Sequence, residues 1–322
     1  MRLINMSTYR YDVERFKGDY KEIEKFLNQN SLDGVELLGV GALDEDIIPK
    51  RLIKGVHLSY YPIWVDFWNE DEEALKRQFK NDEEIKIYYG SLDKQVLIEK
   101  FRNEIKMADR IEAKYVVFHI SHVELEETYN YKFKTSNEKV LKASVEFINE
   151  VLKGLDTKIE ILFENLWWPG LTVLNRVETR NFIDKINYEN KGIMLDTGHL
   201  INTNVNISSE NEAIEYILKV LEDLKDVKSF IKGIHFNYSL SGDYVRAQIR
   251  KQRNDKSKFT LEEMKKNIHG HVINIDEHKP FRSYNAKKIV ESVNPKYLTY
   301  EFITTSLNQL NEYVEIQNKV LL

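Results

Sequence analysis

The segment "GIMLDTGHL", residues 192–200, ends an apolar run in Asp196 and sets His199 three residues further on. Other short apolar runs end in the same manner, in His57, His119, Glu164, His235 and Glu301. Singly, most of these have ordinary explanations. A strand-end Asp such as Asp196 can cap the next helix, and a lone His such as His57 or His235 can be satisfied in a core or at the surface. Glu164 and Glu301 fit that view less well, because an unpaired buried carboxylate costs several kcal/mol or changes its pKa. Three imidazoles and three carboxylates around one point, in a chain without cysteine, make a donor set for divalent Zn, Mn or Co rather than Mg or Ca. His199 extends the set. So do Asp276 and His278 in "INIDEHKPF", which share one side of the chain if the backbone there is extended.

Residues this far apart in sequence need a fold that gathers strand ends. Eight short β-rich runs recur, at 2–8, 34–38, 55–60, 115–121, 159–166, 192–196, 231–237 and 297–302. Longer stretches of helical periodicity follow them, including 136–153, 210–228 and 306–321, and this alternation predicts a parallel α/β fold. Eight such units close into a single (β/α)8 TIM barrel over residues 1–322, whose C-terminal strand ends converge on one mouth. Two connections, 61–114 after the third strand and 238–296 after the seventh, are far longer than usual. The first carries an acidic, aromatic stretch before a helix at about 92–112. The second carries the basic residues Arg246, Arg250, Lys251, Arg253, Lys256 and Lys258.

Composition narrows the classes. With 42% hydrophobic and 31% charged residues the chain is globular. Without cysteine it has no disulfide, thiol nucleophile or thiolate metal site. No apolar run is long enough to span a membrane and no signal peptide opens the chain, so the expectation is a cytoplasmic protein with no membrane partner. A net charge of −5 argues against a surface given over to nucleic acid. Trp167 and Trp168 are either a sugar-stacking platform or a packed loop, and Trp64 and Trp68 either close over a ligand or pack their loop. The basic segment is either a solvated helix face or a clamp for a substrate phosphate, through Arg246 and Arg250 foremost. His122, His269 and His271 are assigned no ligand role.

In order along the chain, "GVHLSY", "VVFHIS", "ILFEN", "LDTGH", "GIHFN", "IDEHKPF" and "TYEF" resemble the xylose isomerase-like TIM-barrel superfamily, which includes sugar-phosphate isomerases and epimerases and endonuclease IV (AP endonuclease family 2). The isomerase branch implies one divalent metal on Glu164, Asp196, His235 and Glu301. There Glu164 and Glu301 would move protons on a sugar or sugar phosphate through an enediolate, and His199 would contact substrate. The endonuclease IV branch implies three metals. His57 and His119 would hold one, Glu164 would bridge, Asp196, His235 and Glu301 would hold the second, and His199, Asp276 and His278 the third. The reaction would be phosphodiester hydrolysis at an apurinic site. This chain departs from that branch in continuing "KPFRSYNAKK" after Asp-x-His, and its acidic run at 69–84 would repel a duplex. The first expectation is therefore a metal-dependent isomerase or epimerase with one to three ions and a small sugar substrate. Hydrolysis, with DNA the less favoured partner, is second, and a non-catalytic sugar- or metal-binding barrel third.

Overall fold

All eight apolar runs form strands: β1 (Arg2–Ser7), β2 (Gly34–Leu38), β3 (Ile53–His57), β4 (Tyr115–His119), β5 (Glu160–Glu164), β6 (Lys191–Asp196), β7 (Ile231–His235) and β8 (Tyr297–Tyr300). The computed structural model describes residues 1–39, 48–254 and 257–322. Every strand pairs in parallel with the next, and β1 closes on β8. Several runs leave the sheet earlier than their apolar character suggests. Leu58, Ile120 and Phe236 still donate to carbonyls of the neighbouring strand, and beyond them the chain turns over the mouth.

Strand alternation decides what faces the barrel axis. Leu3, Tyr115, Val117, Leu162, Met194 and Tyr297 form an apolar cluster of their own, separate from the larger core that contains Val56, Val116, Phe118, Ile161, Phe163, Ile193 and Ile234. The smaller cluster is the filling of the barrel and the larger one its packing against the helices. Two residues beyond Val117, Leu162 and Met194 along the same inner face come His119, Glu164 and Asp196. The period of two that buries the filling thus also aims the polar strand ends into the mouth. Gly55 lies on the inner face of β3, where a Cβ would sit 2.2 Å from the Tyr115 ring. Only glycine admits that ring.

The outer helices follow the predicted amphipathic stretches, as Asn137–Leu152, Glu210–Asp223 and Leu307–Val320. The connection after β3 folds into Val65–Trp68, Glu72–Gln78, Asp82–Tyr89 and Gln95–Arg110. Its acidic run now has a local reason. Glu72, Glu73, Asp82, Glu83 and Glu84 occupy first helical turns, where negative charge is favoured by the unpaired backbone N–H groups. Trp64 and Trp68 pack on Phe147, at ring separations of 5.4 and 5.1 Å, so they fasten this connection to the barrel wall.

The connection after β7 forms helices Gly242–Arg253 and Leu261–Ile273, which pack on the short helix Leu125–Asn130 that follows β4. His271 is the pin: its ring stacks on Tyr129 at 3.8 Å and bonds the Thr128 carbonyl and the Tyr244 hydroxyl. Beneath, Val245 and Ile275 join Val123, Leu166, Trp167 and Trp168 in a third apolar cluster. These segments roof the side of the mouth between β4 and β7.

Phe147 is the aromatic hub of the wall, buried against Trp64, Trp68, Phe101 and Phe118. Phe147→Ala is expected to cost about 3–5 kcal/mol through lost burial and a residual cavity, read from the midpoint of urea unfolding.

Candidate metal centre

The nine side chains marked out by the sequence meet at the mouth, and all are buried or nearly so. They sort into three groups of potential ligand atoms, each with its atoms within 4.8 Å of one another. In the first, Glu164 Oε2 faces His57 Nε2 at 3.1 Å and His119 Nε2 at 3.4 Å. In the second, His235 Nδ1 lies 3.2 Å from Glu164 Oε1, 3.1 Å from Glu301 Oε2 and 3.8 Å from Asp196 Oδ2. In the third, Asp276 Oδ2 lies 3.1 Å from His199 Nε2 and 2.6 Å from His278 Nε2. Glu164 places one oxygen in each of the first two groups. His199 Nδ1, 3.2 Å from Glu164 Oε1, links it to the third.

Local structure explains how the side chains are held. Asp196 does both things that its position suggested. Its Oδ1 caps the helix Thr197–Asn202 by accepting from the His199 N–H at 2.6 Å, while Oδ2 accepts from Asn237 Nδ2 at 2.7 Å and faces the second group. Asn165, next to Glu164, brackets the same residue, donating to the Asp196 carbonyl and accepting from its N–H. Gly198 is obligatory in "TGH", since a Cβ there would lie 2.0 Å from Asn237 Oδ1. Asp276 and His278 do meet, but not through an extended backbone: His278 has φ of 46°, a left-handed conformation that carries strain in a non-glycine residue.

Do these residues suit a metal? His199 Nδ1 lies 2.9 Å from the Asn165 carbonyl and His278 Nδ1 3.1 Å from the Glu301 carbonyl. With Nδ1 donating to these carbonyls, each Nε2 points at the third group and would become a metal-binding lone pair once its proton is displaced. Glu164 Oε2 and Glu301 Oε2 are buried without a hydrogen-bond partner, and both point into ligand groups. The donor set fits divalent cations.

Electrostatics says the same in another form. Burial pushes the His278 pKa down, yet Asp276 and Glu301 outweigh it and hold it up at about 10. His57, His199 and His235 are likewise raised against burial by facing carboxylates. Burial raises Glu164 and Glu301 less than the imidazoles lower them, so both stay ionised. Burial takes Asp196 up to about 7 and His119 down to about 3. Without metal, protons on imidazoles balance the carboxylates. Metal ions would replace them.

The remaining sequence candidates are placed as follows. Trp167 packs its ring 5.0 Å from His199 and 4.5 Å from Trp168, and both indoles are buried. Arg246 is engaged by Asp243 at 2.5 Å and by the Val205 carbonyl, so it braces the roof helix. Arg250 is exposed on that helix, Lys251 lies over the Phe259 ring, and Lys256 falls outside the described residues. His122 accepts from the Trp64 and Val65 N–H groups. Together with His271 in the roof it stays outside the three groups.

Sequence reasoning confined to strand ends misses one residue. Glu36, mid-strand in β2 and fully buried, approaches His235 Nε2 at 2.8 Å. The signal is present in "GVELL", an acid inside an apolar strand.

Residues 57–243 match the family described as xylose isomerase-like TIM barrel. Among solved structures, endonuclease IV from Thermus thermophilus is 12% identical with a TM-score of 0.53, covering 99% of this chain and 98% of that one. The IolI protein with a bound zinc atom is 14% identical with a TM-score of 0.50, covering 99% and 95%. The 3-keto-D-glucoside 4-epimerase YcjR from E. coli is 10% identical with a TM-score of 0.50, covering 98% of each chain. At these identities the likeness is one of fold. No curated protein is similar enough in sequence to match.

Protons and metal compete for the same imidazoles, so affinity should rise with pH. With His278 near 10, apparent metal affinity is expected to climb by about tenfold per pH unit for each proton displaced, between about pH 6.5 and 8.5. Chelator-competition titration measures this. Flat affinity across that range would mean that these imidazoles are not the ligands.

Proposed function

The chain belongs to the xylose isomerase-like TIM-barrel family, and from that premise we propose that it is a metal-cluster enzyme hydrolysing a phosphoester, with a small sugar phosphate as the favoured substrate class. The observation that carries this reading is Glu164, which gives one oxygen to each of two ligand groups and is linked through His199 to a third. A single-metal reaction would employ only the second group. It would leave His57, His119, Asp276 and His278 buried without a task, at the cost that burial of polar groups entails.

Bound divalent ions would supply Lewis acidity, neutralising charge that develops on phosphoryl oxygens and activating water. The chain's own part is positional. Glu164 sets the spacing of the first two groups, and Asn165 and Asn237 hold Asp196 in one orientation. The Asn165 and Glu301 carbonyls hold the rings of His199 and His278. Trp167 covers His199 with an apolar face and keeps water from that side. The roof of Gly242–Arg253 and Leu261–Ile273 packs over Leu125–Asn130 and the Trp167–Trp168 side of the mouth, which supports a small substrate over a duplex lying across it.

A second reading, isomerisation or epimerisation of a sugar through an enediolate, is favoured by one observation. Glu164, Asp196, His235 and Glu301 form a four-donor group by themselves, with Glu164 and Glu301 as the carboxylates that would move protons.

Elemental analysis of protein purified without chelator separates the two readings. Hydrolysis predicts about three ions per chain and about two in His119→Ala. It also predicts metal-dependent cleavage of sugar phosphates or bis(p-nitrophenyl) phosphate that falls on the order of a hundredfold in Glu164→Gln. One ion, unaffected by His119→Ala, with exchange of sugar C–H for deuterium from solvent, would carry the isomerase reading instead.

A further inference from the structure

Glu36 is a fully buried acid outside the nine predicted ligands whose carboxyl group faces one of them, His235. It lies at the centre of β2, in register with Gly55 of β3, which is in register with Tyr115 of β4. Because Gly55 has no side chain, Tyr115 reaches across β3, and its hydroxyl donates to Glu36 Oε2 at 2.5 Å. Thr299 of β8 donates to the same oxygen at 3.1 Å. Tyr115 is itself braced by the Tyr297 ring at 4.2 Å. Three strands thus cooperate to fix one carboxyl group. Its other oxygen, Oε1, has no aligned hydrogen bond and is left against His235 Nε2 at 2.8 Å.

His235 directs its Nδ1 at Glu164, Asp196 and Glu301. When Nδ1 serves as a ligand, the ring proton sits on Nε2, the atom that abuts Glu36. An apolar side chain would fill this place in β2 without the cost of burying an acid. A carboxyl group there fixes both the tautomer and the tilt of the ring, and makes it a better donor.

We propose that Glu36 is a positioning residue for the second ligand group, acting through His235, with Tyr115 and Thr299 holding it in place. The inference rests on the metal centre but not on which reaction the centre performs. It also assigns Glu36 no ion of its own, although Glu36, His57 and His235 lie close enough to hold one. With His57 Nε2 facing the first group and His235 Nδ1 the second, each neutral ring would carry its proton on the other nitrogen, which is then a hydrogen-bond donor and not a ligand.

The test is metal binding rather than turnover. The full-length protein, Glu36→Gln and Tyr115→Phe are each loaded with Co(II). The number of ions, the chelator-competition affinity of each and the visible ligand-field spectrum are then recorded. The expected result for Glu36→Gln is an unchanged ion count at saturation, with one ion bound about 10–100-fold more weakly and an altered spectrum for that ion. Tyr115→Phe, which touches no ligand, should weaken the same ion by a smaller factor, and it carries the test if Glu36→Gln does not fold. Wild-type affinity and spectrum in both variants would overturn the proposal. So would a wild-type count one higher than in Glu36→Gln at saturation, which would make Glu36 a ligand. A wild-type protein that binds no divalent ion would remove the metal centre itself. Ions bound without any phosphoester cleavage would remove only the hydrolytic reading.

Discussion

Glu164 is the constraint on which the rest of the site turns. It is fully buried at the end of β5, and among the described residues its ion contacts are to imidazoles, those of His57, His119, His199 and His235. A carboxylate removed from water must be compensated in place. Two of the rings around it are in turn held from behind, His199 by the Asn165 carbonyl and His235 by Glu36. The barrel does the gathering. The mouth is a site because its strands are parallel and all end on one side.

The two long connections have divided their work. The one after β3 is fastened to the wall through Trp64, Trp68 and Phe147, and its acidic residues serve helix N-termini. The one after β7 makes a roof pinned by His271 on Tyr129, and its apolar underside meets Trp167 and Trp168. The first connection therefore packs on the wall, and the second covers the Trp167 and Trp168 side of the mouth. Loops can vary at the mouth of such a barrel while the strand ends stay where the sheet puts them.

The chemistry of the donors bears on the choice of reaction more than likeness of fold does, since one barrel hosts many reactions. Nine potential ligands in three linked groups amount to more metal-binding capacity than proton transfer on a sugar demands. The roof, by contrast, speaks to substrate size. Joined, they are the grounds on which a small phosphorylated substrate is proposed.

Much of this was legible in the sequence. The eight strands were written as short apolar runs, and six of the nine candidate ligands as polar residues ending them, because a strand's period of two leaves little choice about which face a residue joins. The sequence alone determined the barrel, the donor types and, through the lack of cysteine, a site built from nitrogen and oxygen. Tertiary structure alone decided that Asp196 caps a helix and faces the second group at once, using different oxygens. It decided that His278 meets Asp276 through a left-handed turn, and that Arg246 is engaged by Asp243 and Val205. It also revealed Glu36, whose partners come from β4, β7 and β8. Those contacts depend on closure of the barrel across the chain, and closure is a relation between distant strands that no local pattern encodes.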